Sequence, residues 1–125
     1  MKVMSFNLRS DFILDFKNRW DKRKHIVYEI IDKYDCDIIG VQEVTNKMFN
    51  DIKENFDDYT IVGKPRSKKY FSERNNLFIK NRNKIINHNT FWLSKNPEKV
   101  GSQLWYSLYP RICTTAIVEL ENGDK

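Results

Sequence analysis

Two cysteines, two histidines and the absence of any long apolar run limit what this 125-residue chain can be. Cys36 and Cys113 stand far apart and match no zinc spacing, which excludes a cysteine-built zinc centre. Beside apolar strand residues they read as buried free thiols, in keeping with a reducing compartment. His25 and His88 have no second His or Cys nearby to share a metal, so both read as structural or surface residues. Residues 1–6 lead straight into strand pattern without an h-region or cleavage site, and no stretch is long and apolar enough to span a bilayer. The expectation is a cytoplasmic protein with no transmembrane segment. No internal repeat or low-complexity tract offers another organisation.

What is present is the composition of a folded protein. Hydrophobic residues make up 40% of the chain and aromatics 14%, spread along its length, which argues for a core and against disorder. The length suits a single domain at most. A net charge of +5 and a pI near 9.2 point toward an anionic partner. The charges are interspersed, however, so solubility accounts for them first and phosphate-bearing substrates are supported weakly.

Val3-Met4-Ser5-Phe6-Asn7 reads as a short apolar strand ending in an amide. Ile38-Ile39-Gly40-Val41-Gln42-Glu43 reads as a second, of the kind buried on both faces, ending in an amide and a carboxylate. Between them Ile26, Val27, Ile30, Ile31 and Tyr34 recur at helical spacing over residues 21–34, with Lys22, Arg23, Lys24, Glu29, Asp32 and Lys33 on the other face. A crossover of this length favours parallel strands, which brings Asn7 and Glu43 to one sheet edge. Thr45 then caps a second helix carrying Met48, Phe49, Ile52 and Phe56, packed on the same sheet.

Residues 59–62 form the next strand, ended by Gly63-Lys64-Pro65. The basic stretch 64–69 is either a phosphate-facing or a solvated loop. Residues 76–80 and 84–93 flank Asn81-Arg82-Asn83 and are expected to pair as an antiparallel hairpin. Residues 94–110 form a long loop whose Trp105, Tyr106 and Tyr109 either stack on a base or sugar or pin the loop to the core. Residues 111–120 are a β-branched strand. Asn122-Gly123 after it signals a two-residue hairpin turn and a return strand, so residues 1–125 are expected to be an N-terminal segment of a longer domain. On its own that segment is expected to be poorly stable, with one apolar sheet face uncovered.

An amide and a carboxylate at adjacent strand ends are hard oxygen ligands, suited to Mg²⁺ (or Mn²⁺), which takes few protein ligands and keeps positions open for water and phosphate. Open α/β sheets collect ligands where strands end. The chemistry implied is metal-assisted hydrolysis of a phosphate ester, with Arg111 after Pro110 offering a bidentate phosphate contact.

Four stretches taken together, Met4-Ser5-Phe6-Asn7-Leu8-Arg9, Ile39-Gly40-Val41-Gln42-Glu43, Thr90-Phe91-Trp92-Leu93-Ser94 and Pro110-Arg111-Ile112-Cys113-Thr114, resemble the endonuclease/exonuclease/phosphatase family in order and spacing. The resemblance implies an α/β (α+β) fold of the deoxyribonuclease-I-like type, a four-layered α/β/β/α sandwich of which the N-terminal half is present. It implies that Asn7 is a substrate- or metal-contacting amide, Glu43 a metal ligand, Glu73 the carboxylate that orients a catalytic His, and Arg111 a phosphate contact. The family's later motifs, including its catalytic His, are not among these residues. The activity implied is that of a Mg²⁺-dependent phosphoesterase or nuclease, monomeric at full length, acting on nucleic acid, a phospholipid headgroup or a sugar phosphate. Residues 1–125 alone are expected to be inactive. The competing expectation is a non-catalytic basic module holding nucleic acid or phosphorylated ligands through residues 64–69 and the Trp105 loop.

Overall fold

A computed structural model describes residues 1–69 and 72–125. The chain runs β1 (Val3–Asn7), a short 3-10 stretch (Ile13–Asn18), α1 (Trp20–Tyr34), β2 (Ile38–Val44), α2 (Asn46–Asn55), β3 (Tyr59–Val62), β4 (Arg74–Lys80), β5 (Lys84–Trp92) and β6 (Ile112–Glu119). A four-stranded sheet has the order β1-β2-β4-β3, with β1 and β2 parallel as the crossover required and β4 antiparallel to both its neighbours. A second, two-stranded sheet pairs β5 with β6.

Alternation along the strands decides which residues face the helices. Met4 and Phe6 of β1, Ile39 and Val41 of β2, and Phe78 of β4 join Trp20, Val27 and Ile31 of α1 and Met48 and Ile52 of α2 in the larger core. Edge-to-face aromatic contacts run through it from Trp20 to Tyr28, Phe56 and Tyr59. Trp20 Nε1–H donates to Asp51 at 2.8 Å, locking α1 to α2. The expected helical stripe is thus rotated: Trp20, Val27 and Ile31 are buried, whereas Ile26 and Tyr34 are about half exposed. On the opposite sheet face Ile38, Leu77, Ile79 and Val62 pack against Ile85, Ala116 and Val118 of the second sheet. Helices, first sheet and second sheet make three stacked layers. Among the described residues no helix covers the outer face of β5–β6, where Ile86 and Ile117 are 44% and 53% exposed.

The expected hairpin between β4 and β5 does not form. Both edges of β4 are already taken, by β2 and β3, so the chain leaves the sheet at Asn81-Arg82-Asn83 and starts the second one. The turn-type residues serve as a corner post. Asn81 N–H donates to Asp58 and its side-chain amide to Asp57, while Asn83 Oδ1 accepts the Glu121 N–H beyond β6. The last turn also differs from its expectation. It holds three residues, Glu121-Asn122-Gly123, between Leu120 N–H and Asp124 C=O, with Gly123 at φ 89°. This left-handed glycine is the one a three-residue hairpin loop needs. Cys36 is buried as expected but Cys113 only partly so, and His25 and His88 are exposed. No helix among the described residues is long and apolar enough to cross a membrane.

Candidate functional site

Parallel pairing sets Asn7 opposite Gln42 at the carboxyl ends of β1 and β2. Regular alternation would carry Glu43 into the helix-side core after Ile39 and Val41. A β-bulge between Val41 and Val44 breaks the register, with Glu43 in the left-handed region at φ 60°. Val44 thereby takes the core position, fully buried, and Glu43 swings toward Asn7. Such a conformation costs a non-glycine residue about 1–2 kcal/mol, and here it re-aims a carboxylate.

Glu43 is gripped by neutral donors. Asn7 Nδ2–H donates to Oε1 at 3.0 Å and Ser10 N–H to Oε2 at 3.1 Å. Asn7 Oδ1 in turn accepts Arg9 N–H at 2.8 Å, so both ends of the amide are assigned. The Asn7 hydrogen bond first, and the Ser10 N–H second, hold the Glu43 carboxyl below its usual range against the opposing effect of burial. It is an anion at neutral pH with no cation in contact among the described residues.

Because β4 runs antiparallel to β2, its first residue, Arg74, lies across from Val44, and Glu73 arrives beside Glu43. Ser10 Oγ–H donates to Glu73 Oε1 at 2.5 Å, and Arg66 Nη1 pairs with Oε2 at 2.8 Å. Arg66 is built in: its N–H donates to Glu73 C=O, and its own carbonyl accepts from Trp92 Nε1 at 2.7 Å. The guanidinium stacks on Tyr109, 5.0 Å from the ring centre. Arg111 sits just before β6, its carbonyl bound by Leu93 N–H, and its exposed guanidinium has no partner among the described residues. Asn7, Ser10, Gln42, Glu43, Arg66, Glu73, Asn75 and Arg111 line one cavity of about 520 Å³ between the two sheets' edges. All four residues expected from sequence, Asn7, Glu43, Glu73 and Arg111, meet there. Among the described residues no histidine lines it, and no cluster of three or more His, Cys, Asp and Glu side chains has the form of a metal site.

Sequence reading missed three residues. Ser10 carries no local signal and Arg66 is marked only as part of the basic stretch 64–69, since each finds Glu73 only through the fold. Arg23, read as part of a solvated helix face, donates to the carbonyls of Leu8, Arg9 and Asn18 and so pins the segment that presents Ser10. The basic loop divides: Arg66 turns into the cavity, while Lys64, Lys68 and Lys69 are exposed. Trp105 does not pin the long loop, being 92% exposed; Trp92 N–H to Pro97 C=O and Ser94 to Ser102 fasten it instead.

A mixed α/β sandwich with an acidic and an arginine side chain converging at the strand ends defines a class built around anionic-ligand chemistry. The chain belongs to the Endonuclease/Exonuclease/phosphatase family, whose model matches residues 4–123. It is similar to an endonuclease/exonuclease/phosphatase from Bacteroides vulgatus, with 33% identity and a TM-score of 0.87 over 94% of this chain and 46% of that one. A family protein from Bacteroides thetaiotaomicron matches with 28% identity and a TM-score of 0.89, over 98% of this chain and 45% of that one. A mannosyl-6-phosphatase from Bacteroides thetaiotaomicron VPI-5482 matches with 28% identity and a TM-score of 0.88, over 98% and 47%. The chain therefore spans just under half the length of these solved structures. No curated protein matches it significantly.

Proposed function

We propose that this chain contributes the Glu43 end of the active site of a divalent-metal-dependent phosphoesterase, hydrolysing a phosphomonoester or phosphodiester. The observation that carries this reading is an ionised Glu43, held by neutral donors, in one cavity with Arg111, neither having an ionic partner among the described residues. The donor set fits Mg²⁺ or Mn²⁺, which bind through one or two carboxylates and complete their shell with water and phosphate oxygens. Glu43 would hold the ion, which when bound supplies charge stabilisation to the phosphate oxygens. Asn7 orients the Glu43 carboxylate. Arg111 offers two parallel N–H donors to the phosphate, and Glu73 stays fixed in orientation between Ser10 and Arg66. Substrate class is open to a sugar phosphate, supported by the similarity to a mannosyl-6-phosphatase, and to a nucleic acid, supported by the exposed Trp105 and Tyr106.

The test is hydrolysis of p-nitrophenyl phosphate and bis(p-nitrophenyl) phosphate by the full-length protein during titration with Mg²⁺ and Mn²⁺ after chelation. Turnover of either ester that returns with metal is the expected result. Metal-independent, salt-sensitive binding of nucleic acid without turnover would favour the non-catalytic module instead.

A further inference from the structure

Ser10 touches both carboxylates of the cavity through different atoms. Its backbone N–H donates to Glu43 Oε2 at 3.1 Å, and its hydroxyl lies 2.5 Å from Glu73 Oε1 and 3.3 Å from the Glu43 carbonyl. A hydroxyl has a single proton, and the shorter contact to a charged acceptor takes it, so the O–H serves Glu73. The segment that offers Ser10 is itself held. Arg9 is in the left-handed region at φ 54°, its N–H closes a turn onto Asn7 Oδ1, and Arg23 binds the carbonyls of Leu8 and Arg9. Two carboxylates far apart in sequence, one on β2 and one just before β4, are thus referenced to one residue.

Resting on the proposed function, we infer that Ser10 is a positioning residue that fixes Glu73 relative to Glu43. The two roles separate by chemistry. Replacing the side chain leaves the backbone N–H on Glu43, together with the Asn7 amide, so Glu43's hold on a metal survives. The same change removes the hydroxyl from Glu73, leaving Arg66 as its remaining side-chain partner among the described residues. A carboxylate held from one side alone samples more orientations than one clasped from both.

The experiment compares Ser10→Ala, Ser10→Cys and Ser10→Thr with the unchanged full-length protein. Readouts are kcat, KM, the Mn²⁺ dissociation constant by electron paramagnetic resonance, and the side-chain carboxyl ¹³C resonances of Glu43 and Glu73. For Ser10→Ala, kcat is expected to fall about 10–100-fold while KM and the Mn²⁺ constant stay within about twofold. The Glu73 resonance should move and that of Glu43 should not. Ser10→Thr restores a hydroxyl and is expected to recover most of kcat. Ser10→Cys keeps the volume without a strong donor and is expected to behave like alanine, and it replaces alanine if that variant does not fold. Recovery by cysteine equal to that by threonine would overturn the inference, as would an unmoved Glu73 resonance. An inactive Glu43→Gln beside fully active Ser10 variants removes the role of Ser10 alone. A fully active Glu43→Gln removes the metal-site reading, and the Glu73 resonance still decides the coupling.

Discussion

The two ends of the four-stranded sheet use charge in opposite ways. Where β2 starts and β4 ends, Asp37 accepts the Lys2 N–H and pairs with Arg82 at 2.8 Å. Nearby, Lys80 pairs with Asp35 at 2.6 Å and with Asp58 at 2.5 Å. Lys80 and Arg82 there each have an anion in contact. At the other end, among the described residues, Glu43 is held only by neutral N–H donors and Arg111 has no partner. Paired charges at a surface knit loops together and contribute modestly. A carboxylate and a guanidinium left uncompensated in one cavity are available to a ligand carrying the complementary charges, which in the proposed function are a metal ion and a phosphate.

Breaking the unpaired end should have the largest effect. Glu43→Gln keeps shape and loses the negative charge, and turnover by the full-length protein is expected to fall about 10²–10³-fold at fixed metal. Arg111→Ala comes next, with kcat/KM expected to drop by on the order of 10²-fold, and Arg111→Lys recovering only part because an ammonium cannot make the two parallel bonds. Equal kinetics for lysine and arginine would show that no bidentate contact is made.

Between the two extremes stands Asp11, a structural charge near the site. Its carboxylate accepts from Arg19 and from Trp20 N–H at the start of α1, and its side chain is 8% exposed. The Arg19 hydrogen bond, opposed by burial and aided by the Trp20 N–H, lowers its carboxyl to about 2. Because the folded value lies below the unfolded one, the stabilisation, about 2 kcal/mol, is complete above roughly pH 4 and disappears as pH falls toward the folded value. Asp11→Asn should lower stability in urea by that amount at neutral pH, and its difference from the parent should vanish near pH 2. The smallest effect belongs to the paired end. Arg82, 36% exposed, sits in a solvent-screened network, so Arg82→Ala is expected to cost less than about 1 kcal/mol and to leave turnover unchanged.

The sequence made the frame of this site legible because the relevant signals are local. Apolar runs that end in Asn7 and in Gln42-Glu43, joined by a helix-length crossover, imply parallel strands with those ends adjacent, and β1 and β2 pair in that way. What escaped depends on contacts made at a distance. Nothing in Val41-Gln42-Glu43-Val44 marks a bulge, and only by exchanging Val44 for Glu43 in the core does the carboxylate come free. Asn81-Arg82-Asn83 has hairpin chemistry, yet pairing was decided by β3, which had already occupied the edge β5 would have needed. Trp20 escaped because the remote carboxylate of Asp11 starts α1 one residue before the apolar periodicity suggests. Ser10 and Arg66 became visible only when β4 brought Glu73 across from the end of β2.

The central claim is that Glu43 is a metal-holding carboxylate oriented by Asn7, and Mn²⁺ binding monitored by electron paramagnetic resonance tests it without reference to turnover. In the full-length protein a single site is expected, weakened at least tenfold by Glu43→Gln and to a smaller degree by Asn7→Ala, with Arg82→Ala unchanged. Mn²⁺ affinity unaltered by Glu43→Gln would contradict the account.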